Sequence, residues 1–180
     1  MVIWITGLAG SGKTTLARLV CERLRASRRQ AVLLDGDAFR AVIGDGLGHA
    51  PEARLENARR LGRMCKLLAG QGLDVVCATM SLFAECHRWN RAEIPGYLEV
   101  FLEVPLDVLR RRDPHELYSR AQAGRVRDVV GVDLPFSPPE RPDLVLDNSG
   151  PSERLEELAE AVLDRAGCGS AVPERPGTGR

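Results

Sequence analysis

The stretch Gly7-Leu8-Ala9-Gly10-Ser11-Gly12-Lys13-Thr14 fits the phosphate-loop pattern GxxxxGK[ST] at every fixed position. Such a pattern fixes a fold only when it leaves a buried strand and opens a helix, and both flanks comply. Val2-Ile3-Trp4-Ile5 is the apolar, β-branched run expected of a central parallel strand covered on both faces. Downstream, Leu16, Leu19, Val20 and Leu24 recur at helical spacing, while Arg18, Glu22, Arg23 and Arg25 fall off that stripe. The glycines let backbone N–H groups turn inward around phosphate oxygens, and the helix N-terminus adds its partial positive charge. Lys13 is expected to reach the β and γ phosphates, and the Thr14 hydroxyl to hold Mg²⁺.

The remaining chain alternates strand and helix. Apolar runs predict strands at 31–34, 73–79, 97–104 and 143–147, the second of the five reading as buried. A long helix is expected from Pro51 to about Ala69, with Leu55, Ala58, Leu61, Cys65 and Leu68 on one face and Gly70 and Gly72 suited to its end. Arg88, Trp89 and Arg91 read as a short helical or irregular segment, helices are expected from Pro105 toward Arg112 and over 116–123, and a last helix capped by Ser152 runs to Arg165. This order predicts an α/β fold, a P-loop kinase-like three-layer sandwich with a parallel five-stranded sheet and a lid. With 180 residues there is room for one domain, expected over 1–166, with the lid at about 110–140 and a disordered Gly/Pro/Ser-rich tail over 167–180.

Formal net charge is zero, so nothing steers the whole chain toward nucleic acid or an anionic membrane. Of the basic residues only Lys13 and Lys66 are lysines, so a single arginine says little here. Cys21, Cys65, Cys77, Cys86 and Cys168 form no CxxC pair and read as buried or incidental thiols of a reducing compartment. No basic leader or membrane-length apolar run is present, which points to a soluble cytoplasmic chain. The flexible loop Gly44 to His49 departs from GxGxxG, which rejects a dinucleotide fingerprint, and His49 reads as solvated.

Asp35-Gly36-Asp37 lies at the carboxyl end of the second strand, where side chains face the ligand crevice. Asp37 is suited to orienting Mg²⁺ or taking the proton of an attacking hydroxyl, against the plainer role of a turn aspartate capping the next helix. Arg54 and Asn57 are three apart on the long helix and share a face, so together they can grip a second anionic group. Arg112, Arg120, Arg125 and Arg127 are the arginines of the lid region that can neutralise charge on a moving phosphoryl group.

With these features in hand, the chain resembles the adenylylsulfate (APS) kinase family over about residues 2–162. The resemblance rests on Gly7 through Thr15, Leu34-Asp35-Gly36-Asp37 with Arg40, Gly46-Leu47-Gly48, Arg54-Leu55-Glu56-Asn57-Ala58-Arg59-Arg60, Arg112-Asp113-Pro114, Leu117-Tyr118, Ala123-Gly124 and Gly131-Val132-Asp133. It implies transfer of the ATP γ-phosphoryl to the ribose 3′-hydroxyl of adenylyl sulfate, the sulfate-activating step, with Mg²⁺ at Thr14. Gly7, Leu8, Ala9, Gly10, Ser11, Gly12, Lys13, Thr14, Thr15 and Arg112 would bind ATP, and Asp35, Asp37, Arg40, Arg54, Asn57, Met80 and Ser81 the acceptor. Lys13 and Asp37 would be catalytic.

The departures fall on the acceptor side. His49 and Val129 replace the two aromatics that sandwich the family's adenine, His115-Glu116 replaces Lys-Gly, and Ser81-Leu82-Phe83 replaces Ser-Pro-aromatic. At these positions the chain looks closer to a related kinase acting on cytidine diphosphoramidate. A nucleotide-dependent switch is the alternative of another class, disfavoured by the long lid and the Asp-Gly-Asp strand end. The sequence leaves the oligomeric state open, a homodimer being compatible with it.

Overall fold

The computed structural model describes residues 1–43, 50–81, 83–113 and 116–169. The loop at 44–49, with Gly46-Leu47-Gly48 and His49, lies outside the described residues, as do Leu82, Pro114, His115, the tail from 170 onward and the Ser152 side chain.

Five strands, β1 (Val2–Thr6), β2 (Ala31–Asp35), β3 (Asp74–Ala78), β4 (Tyr97–Glu103) and β5 (Leu144–Asp147), form one parallel sheet in the order β2-β3-β1-β4-β5. The helices are α1 (Lys13–Ala26), α2 (Gly36–Ile43), α3 (Pro51–Gly70), α4 (Ala84–Glu93), α5 (Leu106–Arg112), α6 (Leu117–Gln122) and α7 (Leu155–Arg165), the last entered through a 3-10 turn, Ser152–Arg154. Alternation along the strands divides the core. Ile3, Ile5, Val76, Val100 and Leu102 face α1 and α7, whose Leu16, Val20, Leu24, Leu158 and Val162 complete that cluster. Val2, Trp4, Val75 and Cys77 point the other way, onto Phe39 of α2 and Leu61 and Cys65 of α3. This is the three-layer α/β sandwich expected.

One element differs from its expectation. The second strand, read as buried, is the sheet edge: it pairs with β3 alone, and after Ala31 its side chains are only half-buried. An apolar run looks the same in an edge strand shielded by helices as in a central one, and strand order is not written locally.

Register sets the site. Ile5 lies opposite Ala78, and Asp35 lies opposite Ala78 from the other side, so β2, β3 and β1 end at one level. The phosphate loop, the Asp35-Gly36-Asp37 turn and the Thr79–Ser81 segment therefore open onto one crevice at the carboxyl edge. A third apolar cluster, Leu8, Val104, Leu109, Tyr118, Val129 and Val130, fastens the lid region to the tip of the phosphate loop.

Candidate active site

The phosphate loop is held by residues far away in sequence. Gly12, just before α1, has φ +94°, and a Cβ there would stand 2.6 Å from Asn148 Nδ2, so only glycine lets the loop pass. That amide donates to Ser11 O at 2.7 Å, while the buried Tyr118 hydroxyl donates to Ala9 O at 2.8 Å. The loop is thus clamped from β5 and from α6 and needs little reorganisation around a phosphate.

Lys13 Nζ donates to Leu8 O at 2.7 Å. Burial pushes its pKa down to about 8, against the opposing pull of Asp37 and Asp35. In the ligand-free protein the ammonium therefore loses its proton as pH rises through about 8. Because kcat/KM for ATP reports the free enzyme, it is expected to fall about tenfold per pH unit above that point. Bound phosphates act as Asp37 does and raise the pKa, so kcat holds to higher pH. Steady-state profiles between pH 6 and 10 check this, and a kcat/KM limb appearing only near the ordinary lysine value of 10.5 would contradict it.

Thr14 Oγ1 donates to Asp35 Oδ2 at 2.7 Å, joining the loop to the end of β2. The other oxygen of Asp35 accepts from the backbone N–H groups of Asp37 at 3.0 Å and Ala38 at 3.1 Å. Asp35, not Asp37, thus caps α2, and the Asp37 carboxylate is left exposed in the cavity. Gly36 makes this turn possible, since a Cβ there would meet Thr79 Oγ1 at 2.6 Å.

One cavity of about 790 Å³ runs from Ala9, Gly10, Gly12, Lys13, Thr14 and Thr15 past Asp35 and Asp37 to Arg40, Arg54, Asn57 and Met80. Arg54 Nη2 donates to Asp128 O of the lid at 2.9 Å. Burial and the neighbouring Arg40 both lower the Arg54 pKa, against Asp128, Asp37 and Asp133. Two guanidiniums kept this close in a half-buried place suit an anion. Asn57 is buried, and its Oδ1 has no partner among the described residues, a cost of about 1–3 kcal/mol that a ligand donor would relieve.

The other expected site residues are distributed as follows. Gly7 and Ser11 belong to the loop but do not line this cavity, and Leu8 faces a neighbouring one. Ser81 is fully buried outside the lining. Arg112 donates to Gly150 O at 3.0 Å on the loop after β5. Of the lid arginines, Arg120 and Arg127 reach the cavity and Arg125 does not. Sequence reasoning missed Asn148 as a loop clamp. Its signal was present in Asp147-Asn148-Ser149-Gly150, turn chemistry at the carboxyl end of a strand, where the crevice lies.

A parallel sheet whose central strand feeds such a loop, with an uncommitted carboxylate and paired arginines across the crevice, defines a P-loop phosphotransferase of the small-molecule kinase type. Residues 1–147 match the profile of the adenylylsulphate kinase family, and the chain belongs to that family. It is 42% identical over 91% of its length to the bifunctional enzyme NodQ of Azospirillum brasilense, of which it spans 26%; it spans 30% of a second bifunctional relative. It is 36% identical to the cytidine diphosphoramidate kinase of Campylobacter jejuni, covering 91% of this chain and 95% of that one. Among solved structures, the Mycobacterium tuberculosis APS kinase CysC in complex with AMPPNP and APS superposes with a TM-score of 0.84 at 37% identity, covering 91% and 95% of the two chains.

Proposed function

We propose that the chain transfers the γ-phosphoryl group of ATP to the ribose 3′-hydroxyl of adenylyl sulfate. The single observation that supports this most is the continuity of the cavity, which joins Lys13 and Thr14 at one end to Asp37, Arg40, Arg54 and Asn57 at the other. In this reading the loop amides and Lys13 hold the donor phosphates, and Arg112 lies toward the rest of ATP. Asp37 orients the acceptor hydroxyl and takes its proton as the O–P bond forms and ADP leaves. Arg54 and Arg40 hold the acceptor's anionic group, and Arg120 and Arg127 neutralise charge on the moving phosphoryl.

The Thr14 hydroxyl and the Asp35 carboxylate, 2.7 Å apart, are hard oxygen donors of the kind Mg²⁺ takes. Among the described residues no group of three or more His, Cys, Asp or Glu side chains can hold a metal, which fits an ion bound chiefly through phosphate oxygens. When bound, Mg²⁺ neutralises the β and γ phosphates.

A second reading, the same chemistry on a cytidine conjugate, is favoured by one observation. No aromatic ring lines the acceptor half among the described residues, where Val129, Val126 and Met80 stand instead. A missing stacking ring weakens base binding by about 1–3 kcal/mol. Acceptor-stimulated ADP release, measured with adenylyl sulfate beside a cytidine diphosphoramidate, separates the two. Stimulation by adenylyl sulfate supports the first reading, and stimulation by the cytidine conjugate alone replaces it with the second.

Among the described residues no helix is long and apolar enough to cross a membrane, and all five cysteines are free thiols. The proposal includes a cytoplasmic homodimer; light scattering on the intact chain reads its mass, and a monomer would count against it.

A further inference from the structure

Behind the acceptor wall lies a run of buried polar groups that the proposed chemistry leaves unused. Ser81 follows Met80, which lines the cavity, and its carbonyl oxygen accepts from Thr6 Oγ1 at 2.9 Å. The same oxygen lies 2.8 Å from Nε2 of His87, on α4. Thr6 is the residue just before Gly7. The other ring nitrogen, Nδ1, faces Glu99 Oε1 of β4 at 2.7 Å, with both side chains at least nine-tenths buried. Glu99 Oε2 accepts from Arg91 Nη2 at 3.0 Å, and Arg91 reaches Asp143 at 2.9 Å.

A carbonyl can only accept, so Nε2 of His87 carries a proton. Neither Nδ1 nor Glu99 Oε1 has a hydrogen-bond partner among the described residues. His87 therefore donates to the Ser81 carbonyl through Nε2, while Nδ1 stands against the β4 carboxylate. The β3 ladder ends at Ala78, and Thr79 N still reaches Ile5 O at 3.0 Å; the next anchor of the chain before α4 is the Ser81 carbonyl.

The geometry points to His87 as a positioning residue: its Nε2–H fixes the Met80–Ser81 wall against the end of β1, and so sets where the acceptor lies relative to the phosphate loop. This role rests on the kinase reading above. Packing alone does not require it, since an apolar side chain would fill the space without burying an imidazole against a carboxylate.

Two variants separate the two contacts of the ring. In His87→Asn the amide nitrogen falls near Nδ1, keeping a donor for Glu99 and losing the one to Ser81. In His87→Gln it falls near Nε2, keeping the donor to Ser81. His87→Asn is expected to raise the acceptor KM about tenfold, with kcat and the KM for ATP held within about twofold. It should also speed amide hydrogen exchange in the peptide covering 79–84, and His87→Gln should restore both values toward those of the natural protein. An unchanged acceptor KM in His87→Asn, or acceptor and ATP KM rising together, would overturn the assignment. If the natural protein turns over no acceptor, the kinase reading fails by itself. Hydrogen exchange then decides the positioning role: faster exchange confined to 79–84 in His87→Asn supports it, and unchanged exchange rejects it.

Discussion

Replacing Asp37 with alanine is expected to lower kcat about a thousandfold while the protein stays folded and still binds ATP. The carboxylate stands in the first turn of α2, exposed in the cavity, and the capping of that helix belongs to Asp35. Its removal therefore costs no cap, only the small favourable interaction of an acid with a helix N-terminus, about 0.3–1 kcal/mol. In the proposed mechanism, what is lost is the group that orients the acceptor hydroxyl and receives its proton, a contribution of about 10²–10⁴. Stopped assays for ADP, paired with calorimetric titration of ATP, check both halves of the expectation. Turnover near the natural rate would remove Asp37 from the mechanism, and lost ATP binding would move its role to the donor side.

Lys13→Ala is expected to act differently, lowering kcat/KM for ATP by at least about 10²–10³ and weakening ATP binding itself. Lys13 opens α1 beside the loop amides, and its ammonium is the only lysine charge at the phosphate site. Its pKa of about 8 shows that the ligand-free fold disfavours this charge, with Asp37 and Asp35 as partial compensation. Removing the charge relieves that cost, so thermal stability should be equal or higher in the variant without ATP. Added ATP should then stabilise the natural protein and not the variant, since a ligand stabilises a fold only by binding it. A variant that melts well below the natural protein would show that Lys13 holds the loop rather than the phosphates.

These two residues were readable from the sequence because local rules fix them. The glycine spacing of the phosphate loop encodes its backbone path, and Asp37 follows an apolar run whose carboxyl end must face the crevice in a parallel sheet. Arg54 and Asn57 were readable because helical spacing places residues three apart on one face, and both line the cavity. The unread parts depend on long-range partners. Asn148 and Tyr118 grip the loop across separations of 137 and 109 residues; turn chemistry puts Asn148 at the crevice, but which loop each residue grips is set only by the packed fold. The apolar residues of β2 suit a buried strand, yet the chain places it at the edge.

Asp35 and Asp37 look alike two residues apart, and only the turn geometry shows that Asp35 caps α2 and leaves the Asp37 carboxylate in the cavity. Ser81 follows a strand that ends in the crevice, but it is buried outside the cavity lining, and its carbonyl is bound by Thr6 and His87. His87 and Glu99 read separately as one polar position of a short helix and one of a strand. Their pairing exists only once α4 packs on β4.

The most direct measurement of the central claim is the position of the new phosphoryl group after incubation with ATP, Mg²⁺ and adenylyl sulfate, read by mass spectrometry and phosphorus NMR. The account predicts one phosphoryl added at the ribose 3′-hydroxyl for each ADP formed. Adenylyl sulfate recovered unchanged, with ADP matched only by inorganic phosphate, would contradict it.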